Sequence, residues 1–169
     1  RLFKVLAKTV VLATGACEQH VVFRNNDLPG IILCSALERL LCHSGVAPDG
    51  GLVVLAGNDQ AWLTGLTASD AGMRVLAVVD LRESPDDVAL QAEMTRRGID
   101  TYLSATVYHA DRDAQSQSLE RVHLYRLTGQ GEVAEHIDTL DCRVLAMSAG
   151  FMPAYQLACQ AGGQLRYDD

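Results

Sequence analysis

Leu52-Val53-Val54-Leu55-Ala56-Gly57-Asn58-Asp59-Gln60-Ala61-Trp62 opens as an unbroken apolar run, stops at a short polar turn, and passes into a helical pattern. An apolar run without alternation is what a strand buried on both faces requires. Trp62, Leu63 and Leu66 predict a helix that ends near Gly72. Val75-Leu76-Ala77-Val78-Val79 is a second such run, closed by Asp80. Ser84-Pro85-Asp86-Asp87 then predicts a helix start, with Ser84 as cap, Pro85 in the first turn and Asp87 near the capping-box acid. Gly98 predicts its end, and Ile99 to Val107 returns to strand. Strand, helix, strand, helix, strand in this order predicts a right-handed parallel βαβαβ unit.

Upstream, Val10-Val11-Leu12-Ala13 reads as another buried strand, closed by Thr14-Gly15, and the stretch from Cys17 to Leu28 is polar and turn-rich. Pro29 is expected to open a helix, where its missing N–H costs nothing. Leu33, Leu37, Leu40 and Leu41 supply its apolar face and Gly45 its stop. Downstream, Asp111 to Gln117 predicts an exposed loop. Leu119 to Leu127 and Val133 to Ile137, joined by Thr128-Gly129-Gln130-Gly131, predict a β-hairpin. Val144-Leu145-Ala146-Met147 is a last buried run, and Pro153 is expected to start a short helix through Tyr155, Leu157 and Ala158.

The expected fold is therefore α/β. It is a Rossmann-like βαβαβ parallel sheet with an added antiparallel β-hairpin, flanked by partial strands of a second nucleotide-binding domain. Residues 1–45 would end the first nucleotide-binding half and its connecting helix, 46–141 form the inserted domain, and 142–169 return to the first domain. Arg1 to Lys8 and Leu165 to Asp169 both read as strand, with no initiator methionine and no leader. Both termini are expected to be cuts through a larger protein.

The 169 residues are 49% hydrophobic and 21% charged, a globular balance. A net charge of −7 repels a nucleic-acid backbone, and Arg74, Arg82, Arg96 and Arg97 are scattered among acids. No nucleic-acid partner is expected. No apolar run reaches the roughly 20 residues that span a bilayer, so no membrane partner is expected either. Cys17, Cys34, Cys42, Cys142 and Cys159 form no C-x-x-C pair, which suggests neither a disulfide framework nor a zinc site and fits a reducing cytoplasm. His20, His43, His109, His123 and His136 fall in no metal or catalytic motif, and there is no nucleophile elbow. No catalytic group and no metal site are expected: the chain reads as a holder.

What it would hold is an anion at a helix N-terminus, where unpaired N–H groups and the dipole favour negative charge. The strand-turn-helix at Leu52 to Ala71 occupies that place. The glycine fingerprint of dinucleotide sites is replaced here by Ala56, Asn58 and Ala61, and Asp59 would repel a pyrophosphate unless it turns away. Two readings stay open: Gly57 and Asn58 still approach a dinucleotide, or the fold has lost the site. Asp80 stands where an acid accepts ribose hydroxyls and favours NAD, with Arg82 nearby; a solvated acid at a strand end is the alternative. Ala13-Thr14-Gly15-Ala16 and Ser148-Ala149-Gly150-Phe151-Met152-Pro153 end two further apolar runs. Such strand ends bracketing a βαβ unit suggest one nucleotide-binding domain inserted into another.

Three stretches together resemble one family: Val11 to Ala16 continuing to Asn26-Asp27-Leu28-Pro29-Gly30-Ile31; Gly45-Val46-Ala47-Pro48 leading to Asn58-Asp59-Gln60-Ala61-Trp62; and Ser148 to Pro153 continuing to Gln160-Ala161-Gly162-Gly163-Gln164-Leu165-Arg166-Tyr167-Asp168. In order and spacing they look like the alpha subunit of heterotetrameric sarcosine oxidases. The resemblance implies a complex of four different subunits that oxidises N-methyl amino acids. It implies NAD in the full-length alpha subunit, oxidation of the amine at a flavin held by another subunit, and an FMN at a subunit interface. The family's intact glycine fingerprint lies N-terminal to the matched region, so this chain would lack it and would be non-catalytic alone. Thr14, Gly15, Gly150 and Pro153 would border the dinucleotide held by the other half. Phe151-Met152 departs from the family's usual tryptophan and small polar residue. An active NAD(P)H domain of a flavin reductase, opine oxidases, and a pure subunit-docking scaffold are the competing readings.

Overall fold

The computed structural model describes residues 2–166. The chain divides into two compact units, residues 18–150 and a smaller one of residues 2–17 with 151–166. The expected boundaries at 45/46 and 141/142 both fall inside the larger unit.

The larger unit is built on a five-stranded sheet of β2 (Ile31–Leu33), β9 (Val144–Ser148), β3 (Gly51–Ala56), β4 (Arg74–Asp80) and β5 (Asp100–Tyr102), in that order. Every pairing in it is parallel. Parallel neighbours need crossovers, and α2 (Asp59–Asp70) and α3 (Val88–Arg96) supply them between β3, β4 and β5. The expected βαβαβ unit is present.

Alternation in the apolar runs sorts their side chains into two layers. Leu52, Val54, Val78 and Ala146 face a core with Leu37 of α1 (Cys34–Cys42), Trp62 of α2, and Leu90 and Met94 of α3. Val53, Leu55, Val79 and Leu145 face a second core with Val107, Leu119, Val122 and Leu124. Those last residues come from a three-stranded antiparallel sheet, β6 (Ala105–Arg112), β7 (Leu119–Leu127) and β8 (Val133–Asp141). The parallel sheet is thus covered by helices on one face and by the antiparallel sheet on the other, which is why its strands read as continuous apolar runs. Each fully buried Val or Leu contributes about 1.5–3 kcal/mol.

Several local expectations are corrected. Val10 to Ala13 is not a strand; among the described residues nothing pairs with it, and Val10 and Val11 are 72% and 85% exposed. Leu2 to Lys8 and Leu165 to Arg166 are likewise not strands, and 167–169 lie outside the described residues. The turn-rich stretch after Ala16 instead begins with β1 (Ala16–Gln19), which forms a two-stranded sheet with β10 (Gly150–Pro153). Pro29 precedes β2 rather than a helix; Ile31 pairs with Leu145, and α1 starts only at Cys34. The third helix is capped by Asp87, whose carboxylate accepts from Ala89 N–H, not by Ser84.

Ile99 to Val107 is not one strand. Ser104, at φ +47°, breaks it into β5, which completes the parallel sheet, and β6, which leaves for the antiparallel one. β6 runs on into the expected loop as far as Arg112, so the expected hairpin is the outer part of a three-stranded sheet. Pro153 ends β10, and the last helix, α4, spans Gln156–Gln160.

Candidate functional site

The carboxyl ends of parallel strands are where open α/β sheets place ligands, and here they are Ala56 of β3, Asp80 of β4 and Ser148 of β9. The turn after β3 is tied down from within. Gly57 N–H donates to Ser148 O at 2.8 Å, and Asn58 Nδ2 donates to Ser148 Oγ at 2.9 Å. Asn58 caps α2: its Oδ1 accepts from Ala61 N–H at 3.2 Å. A Cβ on Gly57 would stand 3.1 Å from Ala149 Cα and O, so this glycine lets the turn close on Ala149. The residue that could open a path to phosphates is packed against backbone.

Asp80 is fully buried, not solvated. Its Oδ2 accepts from Trp62 Nε1 at 2.6 Å and from Arg82 Nη2 at 2.9 Å; its Oδ1 accepts from Arg82 N at 2.8 Å and Nε at 3.1 Å. Arg82 reaches on to Asp59 Oδ1 at 2.8 Å and to Asp86 Oδ2 at 3.1 Å. Asp59, at the first turn of α2, also accepts from the backbone N–H groups of Asp86 at 3.1 Å and Asp87 at 2.8 Å. One guanidinium and two backbone donors therefore converge on a carboxylate at a helix N-terminus. That is the donor set a phosphate would need, and Asp59 already holds it.

Burial alone would raise the Asp59 carboxyl, but hydrogen bonds from the Arg82 guanidinium and the Asp87 and Asp86 backbone outweigh it and hold the pKa below its ordinary value. The Asp80 and Asp59 carboxylates in turn raise Arg82 above its usual range. A carboxyl lowered on folding adds stability that is complete above its unfolded pKa and is lost as pH falls toward the folded one. The urea midpoint is expected to drop between about pH 5 and about pH 3. In Asp59→Asn, the drop should be shallower; an unchanged slope in that variant would detach the effect from this carboxylate.

Of the four outlying candidates, Thr14 and Gly15 precede β1, and Gly150 and Pro153 are the two ends of β10. Thr14 Oγ1 donates to Ala154 O at 2.7 Å, and Ala154 N–H donates to Gly15 O at 2.9 Å. Gly15 and Gly150 adopt φ +68° and +128°, which L side chains rarely take. Pro153 closes β10. Gly57, Asn58 and Asp80 are thus gathered at one sheet edge, and Thr14 and Gly15 meet Ala154 beside Pro153.

Sequence reasoning used Trp62 only to place a helix and named Arg82 only as a neighbour of Asp80. In fact Trp62 also donates to Asp80, and Arg82 organises the whole edge. The signal available was the triad Asp59, Asp80, Arg82 at the ends of adjacent elements, which topology brings together.

No family model matches the chain. The sarcosine oxidase alpha subunit of Corynebacterium sp. (strain U-96) is 34% identical over 99% of the chain, which spans 17% of that relative. An opine oxidase component of Agrobacterium tumefaciens (strain Ach5) is 28% identical over 98% of the chain and 34% of its own length. Among solved structures, T. acidophilum thioredoxin reductase superposes with a TM-score of 0.69 at 16% identity, over 90% of this chain and 47% of that one. This last likeness concerns the fold. The chain is homologous, along nearly its whole length, to a segment of the sarcosine oxidase alpha subunit.

Proposed function

We propose that the chain is the dinucleotide-binding-fold segment of an alpha subunit in a sarcosine-oxidase-like amine oxidoreductase complex, and that it is non-catalytic alone. The observation that carries this is the filled anion site. Asp59 takes the donors that a pyrophosphate would use, and Asp80 is consumed by Trp62 and Arg82. The residues at the α2 N-terminus do not fit NAD, because a bound pyrophosphate would face a paired carboxylate and a turn packed on Ala149. Gly57, Asn58 and Asp80 then act as frame rather than as ligands.

In the longer protein, Thr14, Gly15, Gly150 and Pro153 border NAD held by the other half of the first nucleotide-binding domain, and flavin belongs to the wider complex. The smaller unit supports this reading. Phe3, Val5, Leu6, Val10 and Val11 are each more than 70% exposed, and Phe151 and Met152 about half exposed. So many large apolar side chains left exposed support a docking role, and the occupants proposed are the companion subunits of a hetero-oligomeric oxidase and the rest of the alpha subunit. Cytoplasmic location is part of the same proposal; no helix among the described residues is long and apolar enough to cross a membrane.

Calorimetry with NAD and NADH on the 169-residue chain tests the reading. No heat of binding is expected at micromolar ligand. Micromolar affinity would instead support the active flavin-reductase domain and overturn the filled-site argument.

A further inference from the structure

The outward face of the β6-β7-β8 sheet carries a side-chain cluster that the filled edge does not use. His109 lies opposite His123 across the β6–β7 ladder, and His123 lies opposite Thr139 across β7–β8. His109 and Asp111 are two apart on one strand and so share a face. The two imidazoles stack with centroids 3.8 Å apart and planes 12° from parallel. His123 Nε2 is 2.9 Å from Asp111 Oδ2. One ligand atom from each of His109, Asp111 and His123 lies within 4.8 Å of the others.

The neighbours of this trio are arranged as a second layer. Thr139 Oγ1 is 3.0 Å from His123 Nδ1 and 2.9 Å from His136 Nε2, so it holds the far nitrogen of His123 and leaves Nε2 turned to Asp111. A ligating histidine held through its other nitrogen is the common pattern at metal centres. We propose that His109, Asp111 and His123 form a site for a divalent transition ion of Zn2+ class, with solvent completing the coordination. Two imidazoles and one carboxylate suit such an ion, and binding at Zn–N and Zn–O distances of about 2.0–2.2 Å requires side-chain rotation that opens the ring stack. Arg121 Nε lies 4.0 Å from the same Asp111 oxygen that meets His123, and Arg24 is bridged to His109 through the backbone, so the ion binds against two neighbouring cations, which lowers its affinity. Asp111 is 44% exposed and His123 19%, so an ion has a route in.

This site is independent of the amine-oxidase reading: it fails or stands on the sheet alone. The test is titration of the full chain with Co2+ followed by its visible d–d bands, and with Zn2+ by calorimetry. Expected are one ion per chain, micromolar affinity and no thiolate charge-transfer band. His123→Gln and the His109→Gln/His123→Gln pair should abolish it, and Thr139→Val should weaken it about 10-fold through loss of the second-layer contact. Trp62 fluorescence through a urea titration checks that each variant is folded. The proposal is overturned by absence of binding, by binding that survives in the double variant, or by a thiolate band assigning the ion to cysteines.

Discussion

Asp80→Ala is expected to lower the unfolding free energy by about 3 kcal/mol. The side chain is fully buried, and its removal leaves the Trp62 indole N–H without an acceptor inside the core. It also strips Arg82 of its main partner, and the guanidinium keeps only Asp59 and Asp86. An unpaired buried donor and a half-paired, partly buried cation both cost free energy, whereas the pair itself adds little over an apolar replacement. The measurement is urea unfolding followed by Trp62, the single tryptophan, whose emission also reports loss of the hydrogen bond. Asp80→Asn should lose less, because the amide oxygen can still accept from Trp62. On the proposed reading, a full-length subunit carrying the Asn variant should retain NAD; a large loss of cofactor there would move the dinucleotide to this edge and refute the frame role.

Gly30→Ala should cost a similar amount, about 3 kcal/mol, by a different route. Gly30 holds φ +104°, and a Cβ there would meet Arg143 O at 2.5 Å and Leu119 Cβ at 3.2 Å. The carbonyl cannot move freely, because Arg143 N–H is bonded to Gly51 O and, two residues on, Leu145 N–H to Gly30 O. Relief would have to come from separating β2 from β9. Gly98→Ala is the control: it has φ +69° but nothing within 4 Å of the added Cβ. It should lose only about 1 kcal/mol from backbone strain. Equal losses in the two variants, read from thermal melts, would show that contact plays no part.

The apolar runs Leu52–Ala56, Val75–Val79 and Val144–Met147 announced themselves because both faces of the parallel sheet are covered within the chain. The same signal misled at Val10–Ala13, where the run is real and no cover is present among the described residues. Hydrophobicity reports that a segment wants burial; it does not say what buries it. Pro29 misled for a related reason: a proline suits the first turn of a helix and equally the turn before a strand, and pairing with the distant Leu145 makes this one precede β2. The site was legible in part. Lost glycines and an intrusive Asp59 pointed to an altered phosphate turn, but the partner that neutralises Asp59 lies on the next strand's end. The histidine cluster was invisible, since ring proximity depends on strand register, which no spacing rule in one sequence supplies.

The order β2-β9-β3 has a consequence for biosynthesis. A nascent chain emerging from the ribosome presents β2 and β3 long before β9, yet those two strands do not touch in the finished sheet. Translation must pass Ser148 before the slot between β2 and β3 can be zipped. Until then Ile31–Leu33 and Gly51–Ala56 offer unpaired edges of the kind chaperones shield, so slow, late closure is built into the topology.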